Sequence, residues 1–289
     1  MSDCKYNVLF ILLTCSSPAF LKYQLKNILH FNPNSLICIN MIHDLFPYKK
    51  EILSISENIV VKDDIDEVIV KPHSNGRGYH KAWMSCYSYC KDKNFSYICL
   101  LSSNELFFKF GAHEYMEKQK IVSYLYEDRN IKNDIPGHEY YRNGLNNKLF
   151  SSLNLDYCVT GQWEGSFFTK ETFSKMYDFI KDKLDDDHGQ SCEEVLLPSL
   201  LITLNSNKKY IGSNTHITKV NYIGGEEAPL EWINLPDVYS LKRVSYGMDS
   251  SLFHTIDKLT KESLKSPVSQ LNRNTSSTTN FLEVQSIIE

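Results

Sequence analysis

Residues 6–15 read YNVLFILLTC, an apolar run in which Asn7 and Thr14 are the only strongly polar side chains. Polar Ser16-Ser17-Pro18 closes it. A continuous run of Val, Ile, Leu and Phe bounded by a turn reads as a strand buried on both faces, as in parallel sheets. Residues 20–30 follow, with Phe20, Leu21, Leu25, Ile28 and Leu29 at helical spacing. Asn32-Pro33-Asn34 turns the chain into a second strand, SLICINM, at 35–41. The chain thus opens β-α-β. That is the unit of a doubly wound α/β sheet, which binds ligands at the carboxyl ends of its strands.

The same reading extends along the chain. Short strands are expected at 59–61 and 68–70, flanking the acidic KDDIDE. A polar loop at 71–79 contains Asn75-Gly76-Arg77-Gly78 and leads into a helix over 79–91. FSYICLL at 95–101 is a third strong strand, stopped by Ser102-Ser103-Asn104-Glu105. The pattern loosens over 110–157, which reads as a long loop near a site. A strand region broken by Gly161 and Gly165 spans 158–168. Helices are expected at 170–183, 193–204 and 249–264, with β-like sequence at 210–222 and 238–244. Residues 1–264 read as one domain and 265–289 as a polar tail ending in a possible short helix.

The composition narrows the function classes. The 289 residues are 42% apolar and 23% charged, with 31 basic against 35 acidic side chains. That is an ordinary globular composition, with no basic excess to suggest nucleic acid. The opening apolar run is too short to span a bilayer and carries no cleavage-site pattern. A cytoplasmic protein is expected. The eight cysteines are scattered and contain no Cys-x-x-Cys, so they read as buried reduced thiols rather than a zinc site.

The chain has no Walker loop and no G-x-G-x-x-G; N-G-x-G at 75–78 on its own is equally a surface turn. Carboxylates are the other groups that could hold a diphosphate, through a metal. Nucleotide-sugar enzymes of α/β type often place Asp-x-Asp after an apolar strand, where it holds a divalent metal on a diphosphate. Asp64-Ile65-Asp66 precedes a strand, and Asp185-Asp186-Asp187 follows a helix, so both read as solvated loops. After the strand at 95–101 stands a single carboxylate, Glu105. A basic pair such as Lys242-Arg243 can neutralise a departing diphosphate instead, Arg as a fork and Lys as a point charge. A surface pair is the alternative for those two residues.

Four segments in order resemble the core-2/I-branching β-1,6-N-acetylglucosaminyltransferases and their xylosyltransferase and bacterial relatives. They are the opening strand-helix-strand with ILHFNPNSLICIN, then FSYICLLSSNELFF at 95–108, TGQWEGSFFTKETF at 160–173, and SCEEVLLPSLL at 191–201. LKRVSYGMDSSLF at 241–253 falls where that family has an Arg-Lys-Phe segment. The resemblance implies a GT-A-type nucleotide-binding mixed sheet flanked by helices. It also implies an inverting, metal-independent glycosyltransferase with no cofactor.

By position, the family's base maps to Glu194, with Glu193 beside it. The diphosphate contact maps to Arg243 with Lys242, and Lys219 is the nearest candidate for a second basic residue. Thr14, Ser16, Asn75 and Arg77 would hold the nucleotide, and Trp163, Glu105 and Glu193 would meet the acceptor. Alternatives stay open: Glu193 and Glu194 also suit a helix N-terminus, and Trp163 also suits a core. The implied substrates are a UDP-linked sugar and a saccharide or lipid-linked glycan acceptor, in bacterial surface-glycan assembly with peripheral contact at the inner membrane. The competing readings are a retaining, metal-dependent transferase, with Glu105 or the 185–187 aspartates as ligands, and a non-catalytic carbohydrate- or nucleotide-binding protein.

Overall fold

The structure is a computed structural model that describes residues 5–62, 79–119, 127–130, 157–160, 163–182, 193–204, 217–219 and 226–265. The opening run forms β1 (Tyr6–Leu13), followed by α1 (Pro18–Phe31) and β2 (Ser35–Asn40). Ser17-Pro18 is a helix start rather than a free turn. The Ser17 side chain accepts from the Phe20 N–H at 3.2 Å, and Pro18 opens the first turn, where its missing N–H costs nothing. A 3-10 turn at His43–Tyr48 and the short α2 (Lys49–Leu53) lead to β3 (Ile59–Lys62). Next come α3 (Tyr79–Cys90), β4 (Phe95–Leu101), β5 (Glu105–Phe107) and α4 (Ala112–Gln119). Two backbone segments, β6 (Glu127–Asn130) and β7 (Tyr157–Thr160), pair antiparallel. Then follow β8 (Phe167–Thr169), α5 (Lys170–Ile180), α6 (Glu193–Leu204), β9 (Thr218–Lys219), β10 (Ser240–Lys242) and α7 (Ser251–Lys265).

The main sheet has the order β3-β2-β1-β4-β8. Its first four strands are parallel and β8 runs antiparallel to β4. This is a mixed sheet flanked by helices, as the sequence leads one to expect. Strand alternation explains the unbroken apolar run. Leu9, Ile11 and Leu13 face Trp83 of α3, Phe173 and Met176 of α5, and Leu200 of α6. Val8, Phe10 and Leu12 face Leu21, Leu25 and Ile28 of α1 and Tyr115 and Met116 of α4. Both faces of β1 are covered, so both residue parities must be apolar. A third cluster packs Phe20 and Leu241 against Leu252, Phe253 and Ile256 of α7.

Two expectations change. The stretch read as loop from 110 contains α4, whose apolar positions Ala112, Tyr115 and Met116 recur at helical spacing but sit among charges. The single strand region at 158–168 is two strands in different sheets: β7 pairs with β6, and β8 pairs with β4. The expected strand at 68–70, the loop at 71–78, both acidic clusters (64–66 and 185–187) and the tail after 265 lie outside the described residues. Buried reduced thiols are found at Cys38, Cys86, Cys90 and Cys99. The hydrogen bond between Cys38 and Cys90, with burial, pushes the Cys90 thiol well up. Among the described residues no helix is long and apolar enough to cross a membrane.

Candidate functional site

The strand order locates the site. From β1 the chain moves outward through β2 to β3, then returns through α3 to place β4 on the other side of β1. Helices α1 and α3 therefore lie on opposite faces, and the segments leaving β1 and β4 diverge. Such a switch point opens a crevice at the carboxyl ends of the strands. A cavity of about 590 Å³ occupies it, lined by Leu13, Thr14 and Cys15 after β1 and by Ser102, Ser103 and Asn104 after β4. Tyr79 at the start of α3, Trp163, Glu227 and the segment 242–246 complete the lining.

Lys242 and Arg243 bring positive charge to this wall. Lys242 ends β10, opposite Glu105 of β5. Its Nζ pairs with Glu164 Oε1 and lies 5.3 Å from the Trp163 ring centroid, over an aromatic face that favours a cation. The Lys242 side chain is 19% exposed and that of Glu164 5%. Burial pulls the Lys242 ammonium down to about 8, against the opposing pull of nearby Glu105. Arg243 turns away from the strand with φ 68°, a left-handed backbone that costs a non-glycine residue about 1–2 kcal/mol. The next N–H, of Val244, donates to Asn104 O at 3.1 Å, and the Ser245 N–H donates to Glu227 Oε1 at 2.8 Å. These bonds fix the basic segment against the turn leaving β4.

Glu105 lies beneath the cleft, fully buried. Its Oε2 accepts from the Ser102 N–H at 3.1 Å and the Ser102 hydroxyl at 3.4 Å. Its Oε1 accepts from the Ser240 hydroxyl at 2.8 Å and from the Thr218 hydroxyl. Burial raises its carboxyl above the usual range, and these donors partly offset that. Every donor comes from the three-stranded sheet or the turn above it, so Glu105 ties that sheet to the end of β4. It does not line the cleft. Its carboxylate, expected to meet the acceptor or, in the competing reading, a metal, is engaged in these hydrogen bonds instead of facing the cavity.

Trp163 and Glu164 stand on a tight turn. The Ser166 N–H donates to Trp163 O at 2.9 Å, and Gly165 takes φ 71°, the left-handed value such a turn asks of its third residue. The Gly165 N–H donates to Leu100 O at 2.9 Å, binding the turn to β4. Trp163 packs against Trp83 and Tyr79, with ring centroids 4.9 and 5.7 Å away. It is therefore both a core residue and a cleft wall.

At the rim, Ser103 Oγ lies 2.8 Å from Cys15 Sγ and 2.7 Å from the Tyr246 hydroxyl. Three segments, leaving β1, β4 and β10, meet there. Burial and neighbouring Cys15 raise the Tyr246 hydroxyl above its ordinary value, so it stays protonated.

Of the residues expected from sequence, the cleft brings together Thr14, Trp163, Lys242 and Arg243. Thr14 uses its hydroxyl on Asn40 O at 2.9 Å, which holds the end of β1 to β2. Ser16 is buried off the cleft. Lys219 is turned away: Thr218 faces Glu105, so the next residue of β9 faces the other side, where its ammonium sits 4.7 Å from the Trp232 ring centroid. Glu193 and Glu194 open α6, but their side chains lie outside the described residues, as do Asn75 and Arg77 entirely. Tyr79, Ser103, Glu164, Glu227 and Tyr246 were not expected. Only Glu164 carried a signal, as a charge between Trp163 and Gly165 just before the apolar Phe167-Phe168. Among the described residues no group of three or more His, Cys, Asp or Glu is placed to hold a metal ion. In comparison with known proteins, the chain matches no protein-family model and no curated protein.

Proposed function

We propose that this protein is an inverting, metal-independent glycosyltransferase. It moves an N-acetylglucosamine-like sugar from a UDP-linked donor to a saccharide acceptor in bacterial surface-glycan synthesis. The observation that carries this reading is the cleft between the carboxyl ends of β1 and β4, with Lys242 and Arg243 side by side on its wall. A doubly wound sheet binds nucleotides at this point of its topology, and two adjacent cations suit a diphosphate. The Trp163 face beside them suits the C–H surface of a sugar ring.

In the reaction, Glu194 takes the proton of an acceptor hydroxyl as that oxygen bonds to the anomeric carbon of the donor. The bond from that carbon to the diphosphate oxygen breaks on the opposite face, which inverts the centre. Negative charge then grows on the leaving diphosphate, and Lys242 and Arg243 stabilise it in place. Glu194 enters through the likeness of SCEEVLLPSLL to the family's base-bearing helix.

A thermal-shift panel of nucleotide sugars, each with EDTA and with manganese, tests the reading. A ligand that binds only the folded chain raises Tm by mass action, by about 4–5 °C at a hundredfold excess over Kd for a chain of this size. One UDP-sugar should give that shift equally in EDTA. A shift that requires manganese would point to the metal-dependent alternative, and no shift with any nucleotide sugar would sink the reading.

A further inference from the structure

The Lys242–Glu164 pair has a feature that the proposed transfer does not use. Glu164 is nearly fully buried, accepts from the Lys242 ammonium at Oε1, and has no hydrogen-bond partner for Oε2 among the described residues. A buried carboxylate without donors on one oxygen is costly unless a cation compensates it. Lys242 is that cation, and the dependence runs both ways. Lys242 is one of the few charges on the cleft wall, yet it sits where burial favours the neutral amine.

We propose that Glu164 is the positioning residue of this cleft: it holds the Lys242 ammonium against the Trp163 face and keeps it charged, so that the wall presents a cation to a phosphate-bearing ligand. The inference rests on the nucleotide-binding reading for its ligand and on the local geometry alone for the pair.

The groups around Lys242 set the balance. Glu105 of β5 lies across from it and favours the charged form. Arg243, next in sequence, disfavours it, and Cys15 after β1 favours it weakly. Tyr79, Glu227 and Tyr246 line the same cavity. Glu105 already accepts from Ser102, Thr218 and Ser240, so it serves Lys242 only at a distance. Glu164 is the carboxylate in contact. An opposite charge in contact favours the ammonium, and its removal leaves burial to favour the neutral amine.

The sign follows. A cleft that needs the Lys242 ammonium binds phosphate well below the midpoint of that group, about 8, and loses affinity as pH rises through it. In Glu164→Gln, which removes the carboxylate in contact, the loss should begin at lower pH. In Lys242→Arg, whose guanidinium stays charged, it should leave the accessible range.

The test has two arms. In protein labelled with 13C-lysine, the Lys242 signal, assigned by its absence in Lys242→Arg, is titrated in wild type, Glu164→Gln and Glu164→Asp. The midpoint should fall in Glu164→Gln and be largely restored in Glu164→Asp; Glu164→Ala, in which it should also fall, serves if the glutamine variant does not fold. An unchanged midpoint in folded Glu164→Gln or Glu164→Ala overturns the proposal. In the second arm UDP affinity is followed from pH 6.5 to 9.5. A decline that moves down in Glu164→Gln and vanishes in Lys242→Arg supports the proposal. UDP binding with the same pH profile in all three proteins overturns it. A shifted Lys242 midpoint without UDP binding at any pH overturns the nucleotide reading and leaves the pair standing.

Discussion

Gly165→Ala is expected to collapse the floor of the cleft. A Cβ at Gly165 would fall on the Thr218 hydroxyl and Cβ and come within 2.6 Å of the Thr218 backbone nitrogen. Thr218 cannot withdraw. Its hydroxyl is bonded to Glu105 and lies 2.8 Å from Ser240 Oγ, and the Ile217 N–H reaches Gly165 O at 3.4 Å. Backbone sits on both sides of the collision, so no rotamer change relieves it. The left-handed φ of 71° adds about 1–2 kcal/mol for any L side chain. Overpacking adds about 1–3 kcal/mol. Together these lower Tm by about 3–8 °C for a chain of this size. Calorimetry of the variant checks the figure, and a Tm within a degree or two of wild type would show that the turn has more room than its contacts imply. Cleft ligands should weaken as well, because the same turn carries Trp163 and Glu164.

Glu194→Gln is expected to abolish transfer without unfolding the chain. Glu194 opens α6, so the stability at stake is the favourable interaction of a carboxylate with a helix N-terminus, about 0.3–1 kcal/mol. A base that takes the acceptor proton in the transition state contributes about 10²–10⁴ in rate. Glutamine keeps the size and cannot take the proton. Product formation should therefore fall about 100-fold or more, while the donor-induced rise in Tm stays within a degree of wild type. Normal turnover would remove Glu194 from the role. Loss of donor binding together with turnover would instead make it a binding residue.

The chain spoke plainly where one physical demand dominated. A strand covered on both faces must be apolar at both parities, and 6–15 and 95–101 are. The β-α-β opening placed a ligand crevice near Thr14, and the diverging ends of β1 and β4 form one there. Elsewhere two demands competed. Ser17-Pro18 satisfies a turn and a helix cap equally well. Glu105 follows a turn of small polar residues, and only the meeting of Thr218 and Ser240, far along the chain, makes it a buried structural carboxylate. Lys219 and Lys242 look alike in sequence, but a two-residue alternation in a short sheet sends one to Trp232 and the other to the cleft. Glu227 and Tyr246 belong to irregular segments with no periodicity to reveal them, so their arrival at the same cavity is purely tertiary.

In the proposed function the cleft between β1 and β4 receives a nucleoside diphosphate against Lys242 and Arg243. Isothermal titration of UDP into wild type and into a Lys242→Ala/Arg243→Ala double variant at pH 7 puts this to the test. Charge-assisted hydrogen bonds are worth about 1.5–3 kcal/mol each, so losing both cations should weaken UDP about 100-fold or more; because Lys242→Ala also strips buried Glu164 of its cation, calorimetry first establishes that the variant is folded. The account predicts UDP binding to wild type and that loss in the variant. It is contradicted if UDP fails to bind wild type, or if it binds the double variant with undiminished affinity.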